Sequence, residues 1–306
     1  MSLRYPNGVS HADGGFPFFD EAAIMGGMTQ KLVFLDIDGT LSGPNEQVPR
    51  SAVNACQTAR RNGHLLYIST GRARVQIPER IVALGFDGII SSGGGRIEAQ
   101  GTTLVKTFLN TAVLRSLIDY LSAHQKGFVL ELDDGLIAGP NLIPFFHNLV
   151  LRVKGSPQES VIANAVAFFT GKLVQNESNL YRDNVHKVVF TENGDVSFDD
   201  VVRAFSADCE IFRGSIPFFG ESGGEISPRG VHKGAALERV AAHHGIPLSD
   251  TIAFGDSDND RTMLIAAGIG IAMGNAEASL KAHADYVTDR LDNDGIAKAF
   301  ARYHLC

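Results

Sequence analysis

The hydrophobic positions of the chain form short apolar runs that alternate with stretches of helical period, beginning at Lys31. Buried strands are predicted for the runs KLVFLDID, HLLYIST and GFDGIISS, with helices over residues 49–62 and 78–84 between them. The rhythm returns near the C-terminus, where strands are predicted for TIAFGD, GIGIAM and DYVTD, and a helix for HKGAALERVAAHHG. This alternation is typical of βα units arranged around a parallel sheet.

The middle of the chain follows a different pattern. The run FVLELDDGLIAG predicts a hairpin around Asp134-Gly135, and helices are predicted near residues 111–124 and 157–170. Strands are predicted for HKVVFTE, CEIFRG and PFFGESGGEISP. Before this region, the consecutive glycines at positions 93–95 are expected to interrupt regular structure.

These patterns predict an α/β fold in two parts. The core is a Rossmann-like parallel sheet formed by residues 30–94 and 229–306, and an α+β cap domain is inserted over residues 95–228. Residues 1–29 follow neither pattern and are expected to be a disordered leader.

The composition excludes several classes of protein. The 306 residues include 27 basic and 34 acidic side chains, a net charge of -7 without a basic run, so no nucleic-acid partner is expected. No apolar run approaches the ~20 residues of a membrane helix, so no membrane association is expected. The cysteines Cys56, Cys209 and Cys306 show neither a disulfide nor a metal spacing. Since no secretory signal is evident either, a cytoplasmic location is expected.

Two aspartates stand at the end of the first predicted strand, in the motif Asp36-Ile37-Asp38-Gly39-Thr40. Ligands of open α/β sheets bind at the carboxyl ends of the strands. Residues two apart on a strand point the same way, so Asp36 and Asp38 can face one ligand while Gly39 permits the turn. The motif taken alone is almost equally well explained as an acidic turn that closes a strand.

A second acidic cluster follows the strand TIAF, with Asp256, Asp258, Asn259 and Asp260 in sequence. In this position Asp258 or Asn259 can simply cap the next helix. If both clusters meet at one sheet edge, however, their carboxylates repel each other and need a cation. Oxygen ligands without histidine or cysteine indicate Mg²⁺.

Two further segments carry groups that bind phosphate. Thr70, Gly71 and Arg72 end the second strand and supply a hydroxyl, backbone amides and a guanidinium. Lys233 opens a predicted helix, where the helix dipole disfavours a cation unless an anion lies nearby. Taken alone, the Thr70 segment is commonly just turn chemistry, and the position of Lys233 favours a solvated surface lysine.

The order and spacing of these four motifs resemble those of the haloacid dehalogenase-like (HAD) superfamily. The phrases GFDGIISSGGG, EISPRGVHKGAAL, GDSDNDRTML and DNDGIAKAF resemble the Cof-type branch of phosphatases, which carries a large α/β cap. The resemblance extends over residues 31–304. In the cap it concerns the architecture and not individual residues. One departure is Gly93-Gly94, where relatives of this type commonly have Asn-Gly.

The resemblance implies a catalytic role for the first two aspartates. Asp36 would be the nucleophile that forms an aspartyl-phosphate, and Asp38 the general acid and base. Asp256 would join the Asp36 side chain and the Asp38 backbone carbonyl around Mg²⁺. Asn259 and Asp260 would support the metal site, or Asp260 would orient the lysine.

The resemblance also implies a substrate site and a function. Thr70, Gly71, Arg72 and Lys233 would bind the substrate phosphate. The implied activity is Mg²⁺-dependent hydrolysis of a small phosphorylated metabolite, with sugar phosphates first, and the oligomeric state stays open. A sugar phosphomutase and a ligand-binding protein without turnover are alternatives.

Other conspicuous residues receive less specific interpretations. Four side chains of the predicted cap, Arg152, Lys154, Arg182 and His186, are candidate substrate contacts. The pairs His243-His244 and Asp133-Asp134 are interpreted as structural, because adjacent helix residues diverge and Asp-Asp-Gly suits a hairpin turn.

Overall fold

The computed structural model describes residues 29–43, 46–174, 179–214, 217–220 and 222–306. Apart from Thr29, the leader expected over residues 1–29 therefore lies outside the described residues. Within the described ranges, no helix has the length and apolar character needed to cross a membrane.

The elements of the described ranges alternate between strands and helices over much of the chain. The strands are β1 (Leu32–Leu35), β2 (Leu65–Ser69), β3 (Gly88–Ser91), β4 (Arg96–Ala99), β5 (Thr102–Lys106), β6 (Phe128–Glu131), β7 (Leu136–Ala138), β8 (Lys187–Phe190), β9 (Cys209–Arg213), β10 (Gly224–Pro228), β11 (Thr251–Gly255), β12 (Ile269–Ala272) and β13 (Tyr286–Val287). The α-helices are α1 (Arg50–Arg61), α2 (Glu79–Val82), α3 (Thr111–Ala123), α4 (Leu142–Arg152), α5 (Glu159–Thr170), α6 (Phe198–Phe205), α7 (Lys233–His244), α8 (Arg261–Ala266), α9 (Ala278–Lys281) and α10 (Gly295–Arg302).

The larger sheet has eight strands in the order β13-β12-β11-β1-β2-β3-β4-β5. The strands from β13 to β3 are parallel, as the alternating pattern predicts, whereas β4 and β5 are antiparallel additions at one edge. β1 is the central strand that pairs with both β11 and β2. The residues that follow these three neighbouring strands therefore emerge side by side.

Helices cover both faces of this sheet because successive strand residues point to opposite sides. Leu32 and Phe34 of β1 pack in a cluster with Leu237 of α7. Val33 and Leu35 belong to the opposite cluster, which includes α1 and α10. A strand that is buried on both sides appears in the sequence as a continuous apolar run, which explains the segment LVFL.

The smaller sheet has five antiparallel strands in the order β7-β6-β8-β10-β9. One face, which includes Leu130 and Val188, packs against α3 and α6. The other face, which includes Val129 and Val189, packs against aromatic side chains of α4 and α5. This α+β unit agrees with the hairpin predicted around Asp134-Gly135.

The unit that contains the smaller sheet begins later in the chain than the sequence indicated. β4 begins directly after the three glycines, and both β4 and β5 pair with the larger sheet. The predicted boundary at residue 95 therefore does not coincide with the start of the smaller sheet's unit, and the glycines form one tight turn rather than a longer break. We call residues 107–228, which contain the smaller sheet, the insertion.

Two helices and one turn of the insertion differ from the prediction. α4 was not predicted, and its Pro144 lies in the first turn, where proline is tolerated in a helix. α6 was also missed, although Ser197 and Asp200 form a capping box at its start. Residues 217–219, predicted to belong to a strand, form a short 3-10 turn before β10.

The core of the larger sheet allows a stability prediction. Phe254 of β11 is fully buried, and its ring centroid lies 5.5 Å from that of Phe300 in α10. Phe254→Ala is expected to lower the free energy of unfolding by about 3–5 kcal/mol, because the cavity cannot collapse between a strand and a helix. Chemical denaturation measures this loss.

Ile265→Ala on α8 is the control for this prediction. The Ile265 side chain is 61% exposed, so its truncation is expected to change the unfolding free energy by about 0.5 kcal/mol or less. Equal effects of the two substitutions would contradict the assignment of Phe254 to the core.

Candidate active site

The four sequence motifs meet at the carboxyl edge of the larger sheet. Asp36 follows β1, Thr70 follows β2 and Asp256 follows β11, and these strands are immediate neighbours. Lys233 is the first residue of α7, which packs on the same sheet. Residues almost two hundred positions apart in sequence are therefore in contact, as the convergence of the motifs predicts.

A buried ion network centres on Lys233. Its Nζ donates hydrogen bonds to Asp36 Oδ1 at 2.7 Å and to Asp260 Oδ1 at 2.6 Å. All three side chains are almost completely buried. Burial alone would lower the pKa of Lys233, but the two carboxylates raise it above its usual range, so the lysine is charged. Asp36 and Asp260 are therefore the anions that stabilise a cation at the start of α7.

Asp260 joins the lysine to the loop that follows β11. Its second oxygen, Oδ2, accepts hydrogen bonds from the backbone N–H groups of Asp256 and Ser257 at 3.0 and 3.2 Å. Both oxygens of Asp260 are thus engaged within the protein. This side chain orients Lys233 and fixes the turn that carries Asp256.

Three carboxylates of the site lie close enough to share a cation. Asp36, Asp256 and Asp260 each offer one oxygen, and these oxygens lie within 4.8 Å of one another. Burial raises the pKa of Asp36 despite the opposing effect of Lys233, and burial together with Asp260 raises the pKa of Asp256 to about 7. Clustered hard oxygen donors fit Mg²⁺. Because Asp260 is already engaged, Asp36 and Asp256 are the side chains best placed to hold it.

The loop after β1 requires glycine at position 39. The Gly39 backbone has φ +79°, and a Cβ atom there would lie 2.1 Å from Asp256 Oδ2. Thr40 donates a hydrogen bond to the same carboxylate at 3.3 Å, and Asn275 donates to the Gly39 carbonyl at 2.8 Å. Sequence reasoning did not assign Thr40 or Asn275 to the site, although Asn275 directly follows the β12 run in the phrase AMGN.

Asp38 has a different environment from Asp36. Its side chain is 55% exposed, compared with 6% for Asp36. The Arg72 guanidinium donates two hydrogen bonds to the Asp38 carboxylate, at 2.7 and 2.8 Å, and a third to Glu46 at 3.0 Å. The Phe168 ring of the insertion lies 5.8 Å from the same guanidinium. Arg72 is thus paired with Asp38, and its predicted contact with phosphate stays a prediction.

Thr70 lies on the opposite side of Asp36 from Asp256. It is buried, and its hydroxyl accepts a hydrogen bond from the Arg72 N–H at 3.1 Å. Its own N–H donates to the Ile90 carbonyl, which holds the loop against β3. The Gly71 carbonyl accepts a hydrogen bond from Lys187 of the insertion, and a Cβ atom built on Gly71 would lie 3.3 Å from Asn259 Nδ2. The predicted phosphate-binding and metal-supporting residues are therefore adjacent to the carboxylate cluster.

Comparison with known proteins identifies the family of this chain. The family model of the haloacid dehalogenase-like hydrolases matches residues 33–300. The chain belongs to this family. Phosphatase YwpJ of Bacillus subtilis is 27% identical, with 87% of this chain and 97% of that protein covered. Pyridoxal phosphate phosphatase YbhA of Escherichia coli is 28% identical, with 91% of this chain and 100% of that protein covered.

A solved structure of the same superfamily shares the fold. The subclass IIB sugar phosphatase BT4131 is 23% identical, with a TM-score of 0.73 over 90% of this chain and 100% of that chain. The predicted α/β fold and the resemblance to HAD-type phosphatases are therefore confirmed.

The insertion of this HAD-like hydrolase reaches the site with buried charged residues. Lys187 donates hydrogen bonds to the Gly71 carbonyl and, at 2.8 Å, to Glu225. A small cavity of about 10 Å³ lies beside Lys233 and Asn259 and is walled on the other side by Glu225 and other residues of the insertion. A cavity of this size has room for about one water molecule, so the insertion covers the site closely.

Among the candidate contacts of the insertion, His186 has another role in the hydrolase. His186 is buried, with Nδ1 2.8 Å from the Thr107 carbonyl and Nε2 2.9 Å from Asp133. Asp133 also accepts hydrogen bonds from Arg96 and Lys106. Asp133 therefore connects the insertion with β4 and β5, which agrees with a structural role. The other three candidates are partly or fully exposed: Arg152, Lys154 and Arg182.

The pair His243-His244 is also structural. The Nε2 atom of His244 lies 2.7 Å from the Tyr67 hydroxyl, within hydrogen-bond distance, and thereby links α7 to β2. Gly94, the second residue of the Gly93-Gly94 pair, has φ +112°, and a Cβ there would lie 2.9 Å from the His232 carbonyl. The start of α7 packs against this glycine.

Gly39→Ala is expected to weaken Mg²⁺ binding at least about tenfold, because the new methyl group must displace the Asp256 carboxylate. Isothermal titration with MgCl₂ at constant pH measures the affinity. Gly63→Ala is the matched control, since Gly63 has φ +88° but no atom within 4 Å of its built Cβ. Both variants incur the strain of alanine at positive φ, about 1 kcal/mol. Unchanged affinity in Gly39→Ala would contradict a metal site at Asp256.

Proposed function

We propose that this hydrolase is a Mg²⁺-dependent phosphatase that cleaves a small phosphorylated metabolite through an aspartyl-phosphate on Asp36. The observation that carries the proposal is the position of the Asp36 carboxylate. It lies buried at the sheet edge, bonded to Lys233, beside Asp256 and adjacent to Thr70. A nucleophile, a fixed cation and a metal-binding carboxylate in one place are the requirements of phosphoryl transfer.

The first chemical step transfers the phosphoryl group to the protein. A carboxylate oxygen of Asp36 forms a bond to phosphorus, and the bond between phosphorus and the ester oxygen breaks. Asp38 donates a proton to the departing alcohol oxygen. The exposed Asp38 side chain can meet an incoming ester, and it must leave Arg72 to do so.

The second step releases phosphate. Asp38, now a carboxylate, accepts a proton from a water molecule whose oxygen attacks phosphorus, and the bond to Asp36 breaks. Lys233 and Thr70 bind the phosphoryl oxygens in both steps, with Gly71 and Arg72 as further candidates. Asp260 and Asn259 keep the lysine and the loop in position.

Mg²⁺, held by Asp36, Asp256 and the Asp38 carbonyl, would offset negative charge on the transferring phosphoryl group. The supporting observation is the three-carboxylate cluster, in which burial together with neighbouring carboxylates raises the pKa of Asp36 and raises that of Asp256 to about 7. The donor set contains only oxygen, the ligand type that Mg²⁺ prefers.

A small phosphate ester is the proposed substrate, and sugar phosphates are the leading candidates. Its support is the resemblance to Cof-type phosphatases and the structural likeness to BT4131, which is named a sugar phosphatase. The relative YbhA, named for its action on pyridoxal phosphate, makes this ester a second candidate. We also propose a cytoplasmic location, because Cys56, Cys209 and Cys306 are all free thiols, as is usual in a reducing compartment.

Hydrolysis is favoured over the two alternatives. A phosphomutase has to hold a second phosphate, which calls for an additional cationic cluster. Among the described residues that line the cavity, Lys233 is the one lysine or arginine, and it is already bonded to Asp36 and Asp260. A protein without turnover has no need of the buried nucleophile, which is costly to ionise.

Asp36→Asn is expected to lower phosphate release at least about 10³-fold, because an amide cannot act as the nucleophile. The measurement is inorganic phosphate released from p-nitrophenyl phosphate, pyridoxal phosphate and a panel of sugar phosphates. The wild-type chain is expected to lose its activity in EDTA and to regain it with Mg²⁺. Asp292→Asn, a surface substitution of the same type, serves as the control.

Each alternative function gives a different result in this assay. A mutase produces an isomerised sugar phosphate with little free phosphate, and a binding protein produces neither. Full activity in Asp36→Asn would overturn the proposed nucleophile.

Asp38→Asn is expected to lower the hydrolysis of sugar phosphates by about 10²–10⁴-fold, because a sugar alcohol needs a proton to leave. The loss is expected to be much smaller for p-nitrophenyl phosphate, whose phenolate leaves without one. Arg72→Met, which breaks the same ion pair but keeps the carboxylate, is expected to affect both esters by similar factors. Equal losses for the two esters in Asp38→Asn would count against the acid role.

A further inference from the structure

Three charged side chains on neighbouring strands form a buried triad on one face of the smaller sheet: Glu131 of β6, Lys187 of β8 and Glu225 of β10. Lys187 Nζ lies 2.8 Å from Glu225 Oε2 and 3.4 Å from Glu131 Oε1. Each of the three side chains is at most 5% exposed. Even when buried charges are paired, the cost of removing them from water can exceed their mutual attraction, so stability alone does not explain the triad. We therefore expect it to serve a function.

The triad lies where the insertion meets the catalytic edge. Lys187 donates to the Gly71 carbonyl in the loop after β2, and the Ser92 hydroxyl after β3 donates to Glu131 at 2.9 Å. Ser92 has φ +48°, an uncommon conformation for serine. Both contacts link the insertion to loops of the larger sheet that lie beside the carboxylate cluster.

One end of the triad forms a wall of the cavity beside the catalytic lysine. Glu225 and Ser227 are two residues apart on β10 and so lie on the same face, and Phe212 of β9 pairs with Glu225. These three residues of the insertion line the cavity opposite Lys233 and Asn259. The cavity has room for about one water molecule, so an ester bound at Lys233 requires this wall to move outward, and its alcohol part then contacts the wall.

Glu225 and Ser227 supply the wall with hydrogen-bond acceptors, and Lys187 and Glu131 lie behind Glu225 and outside the lining of the cavity. The triad has two carboxylates for one ammonium, and Lys187 is already bonded to both carboxylates and to a carbonyl. Burial, with a contribution from Glu225, raises the pKa of Glu131 to about 7 although Lys187 opposes the shift. A hydroxyl group can donate a hydrogen bond to such a wall, whereas a second phosphate or a carboxylate is repelled by it.

Building on the proposed phosphatase function, we propose that Glu225, positioned by Lys187 and assisted by Ser227, determines substrate specificity. Glu225 accepts hydrogen bonds from hydroxyl groups of the alcohol part of the ester. The site therefore selects a polyhydroxylated alcohol and disfavours one that carries a second anionic group near the phosphate.

Glu225→Gln tests this inference with three esters. The probes are glucitol 6-phosphate, phenyl phosphate, which has no hydroxyl group on its alcohol part, and fructose 1,6-bisphosphate. The expected loss in kcat/KM is about 10- to 100-fold for glucitol 6-phosphate, the usual effect of removing a charged hydrogen-bond acceptor. For phenyl phosphate the expected change is within about threefold, since no such bond is lost. The preference for glucitol 6-phosphate over the bisphosphate is expected to fall.

Two further variants separate contact from general damage. Ser227→Ala keeps the triad intact and is expected to lower kcat/KM for glucitol 6-phosphate by about 3- to 10-fold, the effect of one neutral hydrogen bond, without affecting phenyl phosphate. Glu192→Gln, the same substitution at an exposed position of the insertion outside the cavity, is expected to change neither activity.

The outcomes distinguish this inference from the proposed function. Equal losses for glucitol 6-phosphate and phenyl phosphate in Glu225→Gln, or no loss for either, would overturn the specificity role. A wild-type chain that hydrolyses phenyl phosphate but not glucitol 6-phosphate would also overturn it, and would leave the phosphatase proposal standing. A wild-type chain that hydrolyses no ester would remove both.

Discussion

The ammonium of Lys233 between Asp36 and Asp260 is the interaction on which the catalytic edge depends. Two carboxylates about 4 Å apart repel each other by about 4 kcal/mol at an effective dielectric constant near 20. The buried lysine offsets this repulsion for two members of the cluster and joins the start of α7 to the loops after β1 and β11. One residue thereby connects three segments that are distant in sequence.

The larger sheet makes this interaction possible. β1 lies between β11 and β2, so the loops that carry Asp36, Asp256 and Thr70 emerge side by side at one edge. The helices on both faces bury the strands and hold the edge rigid. Gly39 removes the last steric obstacle, because any side chain there would collide with Asp256. Precise placement of these carboxylates is therefore a result of sheet order and of one missing Cβ atom.

The insertion contributes a second set of buried charges by a different route. Its sheet uses one face for an apolar cluster with α3 and α6, and the other for α4, α5 and the triad of Glu131, Lys187 and Glu225. The triad contacts the catalytic edge through Gly71 and Ser92. The larger sheet thus carries the proposed chemistry, and the smaller sheet carries the residues that we propose select the alcohol.

The sequence by itself determined the parallel core, the presence of an α+β insertion and the gathering of Asp36, Thr70, Lys233 and Asp256. These features depend on local periodicity and on the rule that parallel strands end at one edge, so they are visible without coordinates. The missed helix α6 shows the limit of that approach, because its capping box was present but lay in a short segment between strands.

Only the tertiary structure decided which charged groups meet. Arg72 pairs with Asp38 from a different strand end, Asp133 binds Arg96, Lys106 and His186, and the triad joins three strands. The addition of β4 and β5 to the larger sheet was decided in the same way. The physical reason is that ion pairs and edge pairing depend on register between elements distant in the chain, whereas hydrophobic periodicity records only the environment of each element on its own.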